Sequence, residues 1–150
     1  MNKIITIVIL CFCLFSISSC QTKKNEYRTD LEPIINRFSV FTDIQKSYWK
    51  TSVDKEDNRL IPTSDYWMAG FFAFNSEQFE SFKAEYEWEF PQMDFGGFGE
   101  SVDPSVIDSA SEKKWGYNQE FNDLVMPKKF SGSIFLDINN GIIFFKINTQ

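Results

Sequence analysis

An α+β fold is predicted for this chain: a small antiparallel sheet packed against one or two short helices, closed by a C-terminal β-hairpin. Three features carry the expectation. Residues 66–74, YWMAGFFAF, form a dense apolar run with strand alternation. Directly after it Phe79, Phe82 and Tyr86 recur at helical spacing. Near the C-terminus two apolar strands flank Asn139, Asn140 and Gly141, and an Asn-Gly pair accepts the positive φ angles of a primed hairpin turn.

The chain opens with Lys3 and an apolar run from Ile4 to Ile17, followed by Ser18, Ser19 and Cys20. A charged start, an apolar stretch too short for a span and small residues before a cysteine resemble a lipoprotein signal. Residues 1–19 are therefore expected to be removed and Cys20 to carry lipid, with Gln21 after it favouring the outer membrane. Residues 20–29 read as the acylated cysteine and a polar, flexible tether, and residues 30–150 as one globular domain. Attachment to the membrane then runs through lipid on Cys20, with about 0.8 kcal/mol for each buried CH₂.

All three cysteines lie at or before Cys20, so the domain has no thiol pair for an internal disulfide and must be held by packing. Losing residues 1–19 removes one charged side chain, Lys3, which makes the product more acidic than the −6 of the whole chain. Acidic domains are repelled by phosphate backbones, so no nucleic-acid partner is expected.

Along the domain, Asp30 is a candidate N-cap, and Leu31, Ile34, Ile35, Phe38 and Phe41 fit one helical face, although the same residues would also support a strand. Ile44–Thr51 reads as a strand with Tyr48 and Trp49 on opposite faces. Residues 52–64 form a polar loop. Its Asp54, Glu56 and Asp57 lack the glycine and distal glutamate of a calcium loop, so a solvated hairpin loop is expected. In the strand that follows, Tyr66, Met68, Gly70, Phe72 and Phe74 share one face and Trp67, Ala69, Phe71 and Ala73 the other. Apolar on both sides, this strand is expected to be central.

Asn75 with Gln78 has the spacing of a capping box for a helix reaching about Trp88. Residues 90–99 read as a loop carrying hydrophobic plugs. Asp94-Phe95-Gly96 and the glycines around it are neither a kinase magnesium motif nor a phosphate loop, because the required companions are missing. Residues 101–111 are expected to be loop or a single helical turn. A short helix over Trp115–Met126 would bury Phe121, Leu124 and Val125.

Arg59, Pro62, Ser64, Asp65 and Tyr66 before the strand, with Tyr86 and Trp88 closing the helix, resemble a group of small uncharacterised bacterial lipoproteins and secreted proteins. Those proteins carry an Arg-x-Pro-x-x-Asp-Tyr-like turn at this point; here Ile61 stands where the pattern has small residues. The resemblance implies a single domain and transfers no chemistry.

Without histidine, a Ser-His-Asp triad and histidine-based zinc sites are excluded. No catalytic residue, metal ligand or cofactor is nominated. A carboxylate pair for a hydrolase could be drawn from Glu85, Glu87, Glu89 and Asp94, but on a helix the first three would diverge. The expectation is a lipid-anchored envelope protein acting as a non-catalytic binding or interaction module. An immunity or inhibitor-type role and a carboxylate-based hydrolase are the alternatives. An envelope protein is the expected partner, and Arg59, Asp65, Tyr66 and Trp67 are the candidate contacts, with an Arg59–Asp65 ion pair bracketing the turn at Pro62.

Overall fold

The computed structural model describes residues 27–52, 66–98 and 100–150. Its strands are β1 (Lys46–Thr51), β2 (Trp67–Ala73), β3 (Trp115–Gly116), β4 (Phe130–Asp137) and β5 (Ile142–Thr149). They pair antiparallel in the order β1-β2-β5-β4-β3, and β4 and β5 form the C-terminal hairpin. The fold is α+β, with helices α1 (Glu32–Arg37), α2 (Ser76–Glu85) and α3 (Gln119–Val125). No helix among the described residues is long and apolar enough to cross a membrane. Cys20, Arg59, Asp65 and the acidic residues 54–57 lie outside the described residues.

The middle of the sheet is β5 rather than β2, because the hairpin docks its second strand against β2. β2 is still interior and buried along both faces. On the inner face, Trp49, Gly70, Phe145 and Ile134 form one cross-strand row, and Ser47, Phe72, Ile143 and Leu136 the next. All three helices cover this face, delivering Ile34, Phe79, Phe82, Phe121 and Val125 to its core. Gly70 is required by close approach. A Cβ there would lie 2.6 Å from Trp49 Cβ and closer still to Tyr48 O, so the glycine leaves room for the backbone of β1.

Local chemistry explains where the elements begin and end. α1 is helix rather than strand, but its N-cap is Leu31 and not Asp30. The Asp30 carboxylate is engaged by the Arg28 guanidinium at 2.7 and 3.1 Å instead. Asn75 caps α2 as expected, accepting from the amides of Glu77 and Gln78. Gln78 does not close the capping box. Its side chain turns to the preceding loop, accepting from Thr42 N at 2.8 Å and donating to Val40 O at 2.7 Å, while Asn75 N donates to Thr42 O. α2 stops at Glu85, and Tyr86 is already extended.

The segment predicted as one helix from Trp115 divides. Trp115–Gly116 is an edge strand, and only Gln119–Val125 is helical, with Asn118 accepting from Phe121 N as its cap. Phe121 and Val125 are buried, whereas Leu124 is 50% exposed. Asn122 takes a core position in its place. Its Oδ1 accepts from the Ile134 amide at 2.9 Å, a donor on β4 beyond the reach of the two-residue β3. The hairpin loop spans residues 138–141, and of these only Gly141 has positive φ, so the turn is not the primed two-residue type. The fully buried Asp137 carboxylate organises it, accepting from Lys114 N, Asn139 N and Asn140 Nδ2 at 2.9, 3.1 and 2.7 Å.

Gly70→Ala should lower unfolding stability by about 1–3 kcal/mol through overpacking against β1. Urea denaturation should show the midpoint falling with an unchanged slope. Asn122→Ala should cost about 1–3 kcal/mol by orphaning the buried Ile134 N–H. Leu124→Ala, on the same helix but facing water, should stay within roughly 0.5 kcal/mol of the parent protein.

Candidate functional site

The outer face of the sheet is as apolar as the inner one, but among the described residues no α-helix covers it. Strand register lines up Tyr48, Phe71, Phe144 and Phe135 across four strands. Phe71 stacks on Phe144 with centroids 5.2 Å apart, Phe144 on Phe135 at 5.7 Å, and Tyr117 extends the series with its ring 5.4 Å from Phe135. A strap, residues 90–98 and 100–114, lies over this row. Among its described residues the regular structure is limited to one 3₁₀ turn, Pro104–Val106. Met93 and Phe95 plug the aromatic face from above, as the plug reading of residues 90–99 anticipates, and Val102 and Ile107, from the stretch read as loop or one helical turn, join them.

A strap without its own ladder must find partners for its backbone elsewhere. At its start the amides and carbonyls of Glu89 and Tyr117 pair at 2.9 and 2.8 Å. In the middle, Lys146 Nζ donates to Gly96 O and Lys50 Nζ donates to Ser101 O at 3.1 Å. The Asp103 amide donates to the Tyr27 hydroxyl. Near its end, Asn140 exchanges two hydrogen bonds with Ser111, and Asn139 donates to Glu112 O. Tyr27 and Arg28, the first described residues, are thus seated on the domain: Arg28 pairs its backbone with Trp49 on β1 and lays its guanidinium over the indole at 4.2 Å.

Where the strap leaves the sheet, two depressions meet at Tyr117. The first, about 580 Å³, is acidic, and Glu85, Tyr86, Glu87, Glu89, Tyr117 and Glu120 are among the residues that line it. Glu85, Glu87 and Glu89 do not diverge as they would on a helix, because α2 ends at Glu85. Beyond it the chain is not helical, and Glu87 and Glu89 both line this groove while Trp88 between them packs on Phe121 at 5.0 Å. Asn118 Nδ2 fixes this segment through Glu87 O at 2.9 Å. Burial, then the charges of Glu85 and Glu120, push the Tyr86 phenol above its ordinary range; burial, then Asp123 and Glu89, do the same for Tyr117. The Tyr117 hydroxyl donates to Gln119 Oε1 at 2.8 Å.

The second depression, about 360 Å³, has Phe135 and Phe144 in its floor, with Pro91, Gln92 and Asp94 contributed by the strap and Ser133 and Lys146 by the sheet. The Asp94 carboxylate accepts from Gly96 N at 2.8 Å and so shapes the strap's turn. No group of three or more acidic side chains among the described residues is arranged to hold a metal ion. The arrangement offers recognition of cationic groups on one side of Tyr117 and of an apolar body on the other.

Of the residues nominated from the sequence, Tyr66 and Trp67 are described, and they go to opposite faces. Tyr66 is buried in the inner core, where its hydroxyl accepts from Arg37 at 3.3 Å. Trp67 is half-buried on the outer face and stacks on Phe98 at 5.7 Å, whose ring lies beside Lys146. Tyr117, Glu120, Phe135 and Lys146 were not nominated. One signal for them existed: Lys146 is the single cation interrupting the apolar run of Ile142–Ile147.

A phenol whose folded-state ionisation lies above the ordinary 10.0 contributes stability that is complete below that pH and lost as pH rises through the folded value. Tyr27, Tyr86 and Tyr117 all shift this way. Ultraviolet titration should therefore show Tyr27, Tyr86 and Tyr117 ionising late in the folded protein, and unfolding free energy should fall above about pH 10. Tyr86→Phe and Tyr117→Phe should each remove part of that alkaline slope. No protein-family model, curated protein or solved structure matches this chain.

Proposed function

We propose that this protein is a lipid-anchored component of the cell envelope, fastened through Cys20 on the periplasmic face of the outer membrane, and acts as a non-catalytic binding module. The observation that carries the binding reading is the meeting of two dissimilar depressions at Tyr117, one acidic and one aromatic with a cation at its margin. Convergent polar groups around an apolar floor suit recognition. The lipid reading rests on the sequence around Cys20. Within the binding reading, the four glutamates of the acidic groove favour an inhibitor or immunity-type role against a basic partner, since complementary charge speeds encounter and sets orientation.

Two measurements test it. Radiolabelled palmitate should enter the chain in growing cells and be absent from Cys20→Ala; labelling that survives the substitution removes the anchor from the proposal. Photo-crosslinking residues at positions 87 and 92, on either side of Tyr117, should each yield one adduct of the same discrete mass in envelope extracts, while position 80 on α2 yields none. Absence of an adduct at both positions would sink the module reading.

A further inference from the structure

Lys50, Ala69, Lys146 and Ser133 form one cross-strand row on the outer face. Each lysine donates to one strap carbonyl, Lys50 to Ser101 and Lys146 to Gly96. Their charges are compensated differently. Lys50 has the Glu100 carboxylate at 3.5 Å and the Tyr27 ring at 4.9 Å. Lys146 has the Phe98 ring at 5.6 Å, and among the described residues no carboxylate lies within ion-pair distance of it.

An ammonium carries three N–H donors and no acceptor, so a single carbonyl leaves two of its directions open. A half-buried cation has lost part of its hydration, and an anion restores that loss better than a neutral acceptor. The cleft beside Lys146 adds an aromatic floor, Phe135 and Phe144, and a second group able to donate, the Ser133 hydroxyl. Its volume of about 360 Å³ falls in the range of small-ligand sites, roughly 300–1,000 Å³.

The geometry points to a ligand site for a carboxylate carried on an aromatic body. The carboxylate sits on Lys146 and the Ser133 hydroxyl, and the ring lies against Phe135. Asp94, which also lines the cleft, disfavours a second anionic group, so the ligand is a mono-acid. This deepens the binding reading by naming a ligand chemistry, and its test involves neither the lipid nor the envelope partner, so the two can fail separately.

The experiment is a chemical-shift titration of the isotopically labelled full chain in detergent micelles with N-acetylphenylalanine and, in parallel, its carboxamide. The acid should shift the amide resonances of Ser133, Phe135 and Lys146 saturably, and the carboxamide should bind about tenfold more weakly. Lys146→Gln, which keeps a donor for Gly96 O, should erase the preference for the acid. Phe135→Ala should weaken both probes and leave the preference intact. A short peptide ending in phenylalanine with a free carboxylate then distinguishes the sources: binding equal to the acid assigns a chain terminus, and rejection assigns a free small acid. Equal binding of acid and carboxamide, a preference that survives Lys146→Gln, or no saturable shift at the three residues overturns the assignment.

Discussion

Both faces of this sheet have to be kept from water, and nearly everything else in the structure follows from that. β2 and β5 carry apolar side chains on both sides, and the cysteines that could have stapled a smaller core all lie at or before Cys20. Stability must come from burial, at about 1.5–3 kcal/mol for each large side chain fully removed from water. One face is closed in the ordinary way, by three short helices and the loop after the first, whose Phe41 packs edge-to-face on Phe72 and Phe74 of the β2 segment and on Phe82 of α2. The other face is closed by a strap that has almost no secondary structure of its own.

That choice transfers a burden to the side chains beneath. Helices satisfy their own backbone groups, but a strap cannot, so residues of the sheet and its loops take the role of the missing ladder. Lys50, Lys146 and Tyr27 engage the strap in its middle, and Asn139, Asn140 and Asp137 near its end. The depressions at Tyr117 are a by-product of this solution. The strap plugs Phe71 and Phe144 with Phe95, then departs before it reaches the end of the aromatic row, leaving Phe135 half-buried and Lys146 at a cleft.

The sheet's edges are managed by similarly small devices. Arg28 pairs with Trp49 along the outside of β1, Glu89 pairs with Tyr117 beyond β3, and Asn122 reaches from α3 to the Ile134 amide on β4. Each supplies a partner to backbone that would otherwise invite another chain. The Glu89–Tyr117 pair also places the acidic segment beside the aromatic row, so blunting an edge and building the candidate site are one structural event.

Periodicity and capping chemistry were enough to place α2, β2 and the terminal hairpin, because those signals are local: Asn75 caps whatever helix follows it, and alternation from Tyr66 to Phe74 divides the faces wherever the strand lies. The plug role of residues 90–99 was legible for the same reason. Strand order was not, since residues 66–74 and 142–147 are equally apolar and only docking decides which takes the middle. Nor was the site. Glu87, Tyr117, Phe135 and Lys146 come from four separate segments, and they converge through register, which pairs Lys146 with Ser133 and Phe144 with Phe135, and through the Glu89–Tyr117 pair that brings in the acidic segment. The sequence by itself determined that the long apolar runs must be buried and where the locally signalled elements α2, β2 and the terminal hairpin form. The tertiary structure alone decided which of them meet, because a one-residue change of pairing would turn every side chain of a strand to the opposite face.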